Sequence, residues 1–179
     1  MGDAKLERSF TIRDARTDER DAIRDLTLDA YGVYATLMEP DAWAGLERAV
    51  RRALESETAE RIVADDHGVL IGSVMLFPAD TASYGEYTGA LPAPELRLLA
   101  VPASAQGRGV GRALVEECIR RATASGAPAI GLHTSKSMAT ARALYLRMGF
   151  ERAPETDFFP PGAEHVEGYR LRLTQELSE

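Results

Sequence analysis

The sequence predicts an α/β fold in which a mixed sheet of about six to seven strands is flanked by about four helices. Segments of alternating polarity and segments of helical spacing follow one another as β-α-α-β-β-β-α-β-α, with at least one further strand. Clusters of Gly, Pro and Asp separate these segments. The length of 179 residues, 45% of them hydrophobic, suits one domain, residues 1–179, with a core of its own.

The N-terminal third predicts one strand and two helices. Residues 9–15 alternate Phe10 and Ile12 with polar neighbours, as strands do. Residues 17–31 repeat apolar side chains at helical spacing, and a threonine or an aspartate can cap the first turn. Residues 39–56 show the same spacing after a proline, which indicates a second helix.

The middle of the chain predicts a hairpin and a long loop. Residues 61–77 contain two β-rich runs separated by Asp-Asp-His-Gly, a sequence that favours a tight turn between antiparallel strands. Residues 78–94 have no clear periodicity, and a loop of this length more often shapes a site than fills space.

The remaining segments alternate between strands and helices. The predicted strands are residues 95–101, 128–134 and 167–173, and the predicted helices are residues 110–124 and 137–149. A glycine closes each of these two helices.

Composition and charge exclude several classes of function. A net charge of −7 and a pI near 5.1 argue against a nucleic-acid or anionic-membrane surface, because both partners would be repelled. Asp80, Glu86 and Glu95 add a slight preference for a cationic partner. Because the chain has one cysteine, no disulfide framework forms, and no Cys/His cluster has the spacing of metal ligands.

The expected location is the cytoplasm. The first residues lack the apolar core of a signal peptide, and no apolar stretch approaches the roughly 20 residues of a membrane-spanning helix.

The stretch SAQGRGVGRAL, residues 104–114, places three glycines at every second position between a predicted strand and a predicted helix. Free N–H groups at a helix N-terminus attract anions, and glycines let a pyrophosphate approach closely. A P-loop is absent, because Arg112 and Ala113 stand where Lys and Ser or Thr are needed. A dinucleotide fingerprint starting at Gly107 would need a glycine at position 112. The alternative is a tight loop that only begins a helix.

Gln106-x-x-Gly109-x-Gly111, followed by ARALYLRMGF at residues 141–150, resembles the GCN5-related N-acetyltransferase (GNAT) family. The resemblance implies acetyl-CoA as co-substrate and a strand bulge that opens a gap in the sheet. It also implies that residues near the gap hold the cofactor: Leu99, Ala100 and Val101 along the pantetheine, and Gln106, Gly107, Arg108, Gly109, Val110, Gly111 and Arg112 around the pyrophosphate. Arg108 and Arg112 either contact a phosphate or lie in water. Met138 replaces an Asn that the family often has, and Ser137 is the candidate substitute.

The same resemblance implies that Tyr145 protonates the departing thiolate, the alternative being an aromatic that packs the core. Glu95, Glu86, His133 or water remain open as acceptors of the amine proton. Glu95 is otherwise a solvated carboxylate at a strand end, and His133 a packed or hydrogen-bonded side chain.

Two functions remain at this point. The first is N-acetyl transfer by direct attack of a primary amine of a small molecule or peptide, and the second is a non-catalytic acyl-CoA-binding module. Cys118 could carry the acyl group instead, but its position on an apolar helix face favours a buried side chain. The oligomeric state stays open, with a homodimer as one option.

Overall fold

The computed structural model describes residues 9–81 and 91–173, which form a seven-stranded mixed sheet and four α-helices. The strands are β1 (Thr11–Asp14), β2 (Glu60–Asp66), β3 (Val69–Phe77), β4 (Glu95–Ala100), β5 (Ala129–Thr134), β6 (Glu151–Arg152) and β7 (Glu167–Arg172). The helices are α1 (Arg20–Tyr31), α2 (Pro40–Leu54), α3 (Val110–Ala124) and α4 (Ala139–Arg147). This architecture confirms the predicted fold class.

The strands lie in the order β1-β2-β3-β4-β5-β7-β6, and β4 and β5 are the only parallel neighbours among the strands of the described residues. The predicted hairpin joins β2 to β3, where Asp65 Oδ1 accepts a hydrogen bond from the Gly68 N–H at 2.6 Å. Two details differ from the sequence expectations. The first helix begins with a short 3-10 turn, Thr17–Glu19, and the short edge strand β6 was not predicted as a separate element.

The helices cover the two faces of the sheet. Because neighbouring residues of a strand point to opposite faces, Met75 and Phe77 of β3 pack with residues of α1 and α2. Val74 and Leu76 pack with α3 and α4. Gly72 lets α3 approach β3 closely, since a Cβ at that position would lie 2.7 Å from Val110 Cγ1.

A β-bulge interrupts β4 beside its contact with β3. Ser73 pairs with Ala100 and Met75 pairs with Arg97, so one residue of β3 opposes two residues of β4, Leu98 and Leu99. Leu98 has a φ of 54°, which is unusual for a leucine and costs about 1–3 kcal/mol. The distortion therefore lies in the strand to which the family resemblance assigns a bulge.

Beyond this irregularity β4 and β5 separate. Within the described chain their register contains one pair, Glu95 with Gly131, although both strands continue for several residues. Parallel strands that diverge after their first residues leave a gap between their carboxyl ends. The sheet is therefore splayed between β4 and β5, as predicted.

Candidate active site

The loop between β4 and α3 presents main-chain donors. Gly107 and Gly109 both have a φ of 78°, in the left-handed region that favours glycine. A Cβ at either position would meet no atom within 4 Å, so the surface above them is open. Across residues 9–81 and 91–173, the N–H groups of 107–109 have no backbone partner, and those of 110–112 belong to the first turn of α3, which offers none. The loop is thus a cradle of amides at a helix N-terminus.

The third glycine, Gly111, has a different setting. It lies inside the first turn of α3, where a Cβ would touch Leu144 Cδ2 of α4 at 3.4 Å and Val101 Cγ2 at 3.7 Å. Its small size permits packing between α3 and α4, whereas Gly107 and Gly109 shape the open loop.

The two flanking arginines are engaged on the surface. Arg108 forms an ion pair with Asp66 at 2.7 Å and donates to Ser9 Oγ at 2.8 Å. Arg112 pairs with Glu116 at 2.8 Å, one helical turn further along α3. Both guanidinium groups are therefore ion-paired, and both lie at the edge of the amide cradle.

The end of β4 borders this loop. Ala100 is buried, Leu99 and Val101 are half-buried, and the Val101 carbonyl accepts a hydrogen bond from Gln106 Nε2 at 3.3 Å. This contact ties the loop to the strand. On the other side of the gap, the Ser137 N–H donates to the Glu164 carboxylate at 3.1 Å.

Two hydroxyl groups at the end of β5 were not among the predicted site residues. Thr134 and Ser135 are 3% and 5% exposed, and their hydroxyl oxygens have no hydrogen-bond partner in the described part of the chain. Buried hydroxyls without partners cost about 1–3 kcal/mol each, so they mark a place suited to a polar ligand group. The burial of these polar atoms arises from tertiary packing, which sequence patterns do not reveal.

Tyr145 lies on α4 and is 6% exposed, with its ring 5.8 Å from that of Phe150. Burial raises the pKa of Tyr145 well above its usual value, and Tyr31, Cys118 and Tyr34 raise this pKa further. Tyr31 lies at the end of α1 and Tyr34 in the turn that follows, so these phenols affect the pKa of Tyr145 from the helical layer on the other face of the sheet.

Three residues near Tyr145 and β4 were not among the predicted site residues: Tyr31, Tyr34 and Arg97. The rings of Tyr31 and Tyr34 meet edge to face at 5.8 Å, and Arg97 lies 5.0 Å from the Phe77 ring. Burial and Tyr34 raise the pKa of Tyr31, while the positive charge of Arg97 lowers it. The Tyr-x-x-Tyr spacing is visible in the sequence, but nothing in that spacing indicates a position beside β4.

Glu95 and His133 form a buried pair. His133 Nδ1 lies 2.8 Å from Glu95 Oε1, and His133 Nε2 lies 2.8 Å from the Thr156 carbonyl oxygen. The side chains of Glu95 and His133 are 2% and 4% exposed. The interpretation of Glu95 as a solvated carboxylate is therefore wrong, because Glu95 is buried and paired with His133 of β5. The interpretation of His133 as a hydrogen-bonded side chain is confirmed.

Two further candidates from the sequence are Cys118 and Glu86. Cys118 is fully buried on α3, and burial raises the pKa of its thiol to about 12, which leaves almost no thiolate at neutral pH. Glu86 lies outside the described residues.

A family model described as the Acetyltransferase (GNAT) family matches residues 20–150, which is most of the chain. The chain belongs to the GNAT acetyltransferase family. A search of curated proteins found no match.

Within the described residues, no group of His, Cys, Asp and Glu could hold a metal ion. None of the helices in residues 9–81 and 91–173 combines the length and apolar character that a bilayer-spanning segment needs.

Solved GNAT structures share the fold at low identity. A ribosomal-protein alanine N-acetyltransferase from Escherichia coli is 20% identical, with a TM-score of 0.62 over 95% of this chain and 99% of that one. A spermidine N-acetyltransferase from Vibrio cholerae, solved with CoA and spermine, is 20% identical, with a TM-score of 0.61 over 93% and 97%. A GNAT acetyltransferase from Brucella melitensis in complex with acetyl-CoA is 20% identical, with a TM-score of 0.60 over 92% and 88%.

Proposed function

We propose that this GNAT chain, residues 1–179 as one domain, transfers an acetyl group from acetyl-CoA to a primary amine of a small molecule or peptide. The observation that carries the proposal is the open amide cradle of residues 107–112, next to the gap between β4 and β5. Related structures solved with CoA or acetyl-CoA support the choice of donor. Acceptors named for related structures include spermidine and a ribosomal-protein alanine, which supports an amine acceptor without selecting one.

The residues around the gap suit the cofactor. The amides of the cradle would bind the pyrophosphate, with Gln106 and the ion-paired Arg108 and Arg112 at its edge. The main chain of Leu99, Ala100 and Val101 would face the pantetheine arm where β5 has moved away. The Thr134 and Ser135 hydroxyls and the Ser137 region offer polar atoms on the opposite side of the gap.

When bound, acetyl-CoA supplies a thioester that an amine can attack. Glu95 is the proposed acceptor of the proton that the amine nitrogen loses. Tyr145 is the proposed donor of a proton to the departing sulfur. The raised pKa of Tyr145 keeps its phenol protonated throughout the neutral range, so the proton is available. Cys118 takes no part, because its buried thiol is not a nucleophile at neutral pH.

Thiol release measures this activity directly. Purified protein is mixed with acetyl-CoA and with polyamines, aminoglycosides, amino acids or peptides with free N-termini, and free coenzyme A is measured. We expect release with at least one amine class and a loss of at least tenfold in kcat in Glu95→Gln. Binding of acetyl-CoA without thiol release across the panel would instead favour the non-catalytic module.

A melting assay identifies the preferred cofactor. A ligand that binds the folded state raises the melting temperature by mass action. We expect coenzyme A to raise it more than ADP at equal concentration. Equal shifts would contradict a role of the gap in holding pantetheine. The cytoplasmic location and the homodimer stay predictions.

A further inference from the structure

Glu95 and His133 are linked to the main chain of a third segment. Glu95 begins β4, His133 lies near the end of β5, and the carbonyl of Thr156 belongs to the connection between β6 and β7. The Phe158 ring lies 5.4 Å from the imidazole ring, so the imidazole is held by packing as well as by two hydrogen bonds.

These contacts fix the number of protons on the pair. A carbonyl oxygen can only accept, so His133 Nε2 carries a hydrogen and donates it to Thr156. An ionised carboxylate can also only accept, so the 2.8 Å contact between Nδ1 and Oε1 requires a second proton. The pair is therefore either imidazolium with carboxylate or imidazole with carboxylic acid. Both forms have no net charge, which reduces the cost of burying them.

We propose that His133 is the positioning residue for Glu95 and shares one proton with it. The inference rests on the proposed function, in which Glu95 receives the amine proton. Both ring nitrogens of His133 already face partners, so a direct contact of the imidazole with the acceptor amine is disfavoured. His133 acts through Glu95, whose Oε1 it orients.

The proton balance gives His133 a defined part in the reaction. The amine nitrogen forms a bond to the acetyl carbon, the carbon–sulfur bond breaks, and Tyr145 gives a proton to sulfur. The nitrogen loses one proton to Glu95 Oε2, which as a carboxylate oxygen can accept more than one hydrogen bond. The shared proton then resides on His133 Nδ1, so the pair ends as imidazolium and carboxylic acid. Transfer of the proton taken from the amine, from Glu95 to the Tyr145 phenolate directly or through water, restores the starting state.

Two variants separate the bonds of His133. In Asn the side-chain nitrogen is two bonds from Cβ, as Nδ1 is, so His133→Asn keeps a donor toward Glu95 and loses the bond to Thr156. In Gln the nitrogen is three bonds from Cβ, as Nε2 is, so His133→Gln keeps the bond to Thr156 and leaves Glu95 without a donor. We expect kcat of His133→Asn to exceed that of His133→Gln at least tenfold, with similar affinities for coenzyme A.

A structural role alone would give a different pattern. If His133 only anchors the segment that contains Thr156, His133→Gln retains at least the activity of His133→Asn, and that result would overturn the inference. In the Glu95→Gln background the two variants should have equal kcat, because residues that act through one another are not additive. Urea unfolding of each variant provides the folded fraction to which kcat is normalised. His67→Asn, at a side chain that is 91% exposed, is the control with unchanged kcat.

A spectroscopic measurement tests the pair independently of activity. The chain has three histidines, so nitrogen-edited proton spectra of the imidazoles can be assigned with single variants. We expect two protected imidazole protons for His133, one on Nε2 and one in the bond to Glu95. The second should vanish in Glu95→Gln, where the amide donates to Nδ1 instead. Absence of the second proton in the wild type would overturn the inference. Its presence without thiol release on any amine would refute the proposed function and leave the proton-sharing pair intact.

Discussion

Gly109 and Gly126 stand just outside the two ends of α3 with nearly identical backbone angles, φ 78° and 77°. A Cβ at either position would meet no atom within 4 Å. Both positions therefore require a backbone in the left-handed region, but only Gly109 lies in the amide cradle. This symmetry provides a matched pair of substitutions for the cofactor site.

Gly109→Ala and Gly126→Ala should each destabilise the fold by about 1–2 kcal/mol, because alanine is strained in the left-handed region. We expect only Gly109→Ala to weaken coenzyme A binding, by about tenfold, since the strain changes the direction of the cradle amides. Isothermal titration with coenzyme A measures the affinity, and urea unfolding measures the stability. Equal affinities for both variants would argue that the cradle does not bind the cofactor.

Tyr145→Phe should lower kcat by about 10²–10⁴, the usual contribution of a general acid, and leave coenzyme A affinity nearly unchanged. The ring continues to pack against Phe150, so the fold should be retained. Thiol release and a coenzyme A titration provide the two values.

Tyr169→Phe is the control for that variant. The Tyr169 hydroxyl is buried and bonded to Glu167 and Arg142, so its loss should reduce stability without a comparable effect on kcat. If Tyr145→Phe keeps full turnover, the general acid lies elsewhere.

Cys118→Ala should retain wild-type turnover. Burial raises the pKa of the thiol to about 12, so an acyl-cysteine intermediate has no accessible nucleophile from which to form. In the native protein a thiol reagent should label this cysteine only as fast as the fold opens. Labelling that is fast under native conditions, or loss of turnover in a folded Cys118→Ala, would instead support an acyl-cysteine intermediate.

Glu19→Gln should lower stability near neutral pH, and the difference from wild type should disappear in acid. The Arg13 guanidinium, together with the Arg16 N–H, lowers the pKa of Glu19 from 4.5 to about 2 against the opposing effect of burial. A carboxyl group with a lowered pKa in the folded state stabilises the fold fully above its ordinary value and loses that contribution as pH falls toward 2. Melting temperatures between pH 7 and pH 2 measure the effect.

Glu57→Gln is the matched control for Glu19. Glu57 also pairs with an arginine, Arg20, but on the surface, where ion pairs contribute little. We expect a small change in melting temperature at every pH for this variant. A pH-independent deficit in Glu19→Gln would mean that the substitution acts through packing instead of charge.

The order of strands and helices could be predicted from the sequence because it follows from local patterns. Alternating polarity marks β7, helical spacing marks α3, and the glycines of residues 107–111 mark the loop between β4 and α3. The bulge at Leu98 and Leu99 has no such signal, because it arises from the register of β4 against β3. Glu19 is similar, since its partner Arg13 is recognisable only after β1 and the following turn have packed together.

The sequence by itself determined the kind of fold, and it gave rise to the expectations of an anion-binding glycine loop and of a GNAT active site near Tyr145. Only the tertiary structure decided that Glu95 is buried, that His133 is its partner, and that both ring nitrogens are engaged. The physical reason is distance along the chain. Backbone preference is set by nearest neighbours, whereas the protonation of a side chain depends on groups that strand pairing brings together across 38 residues.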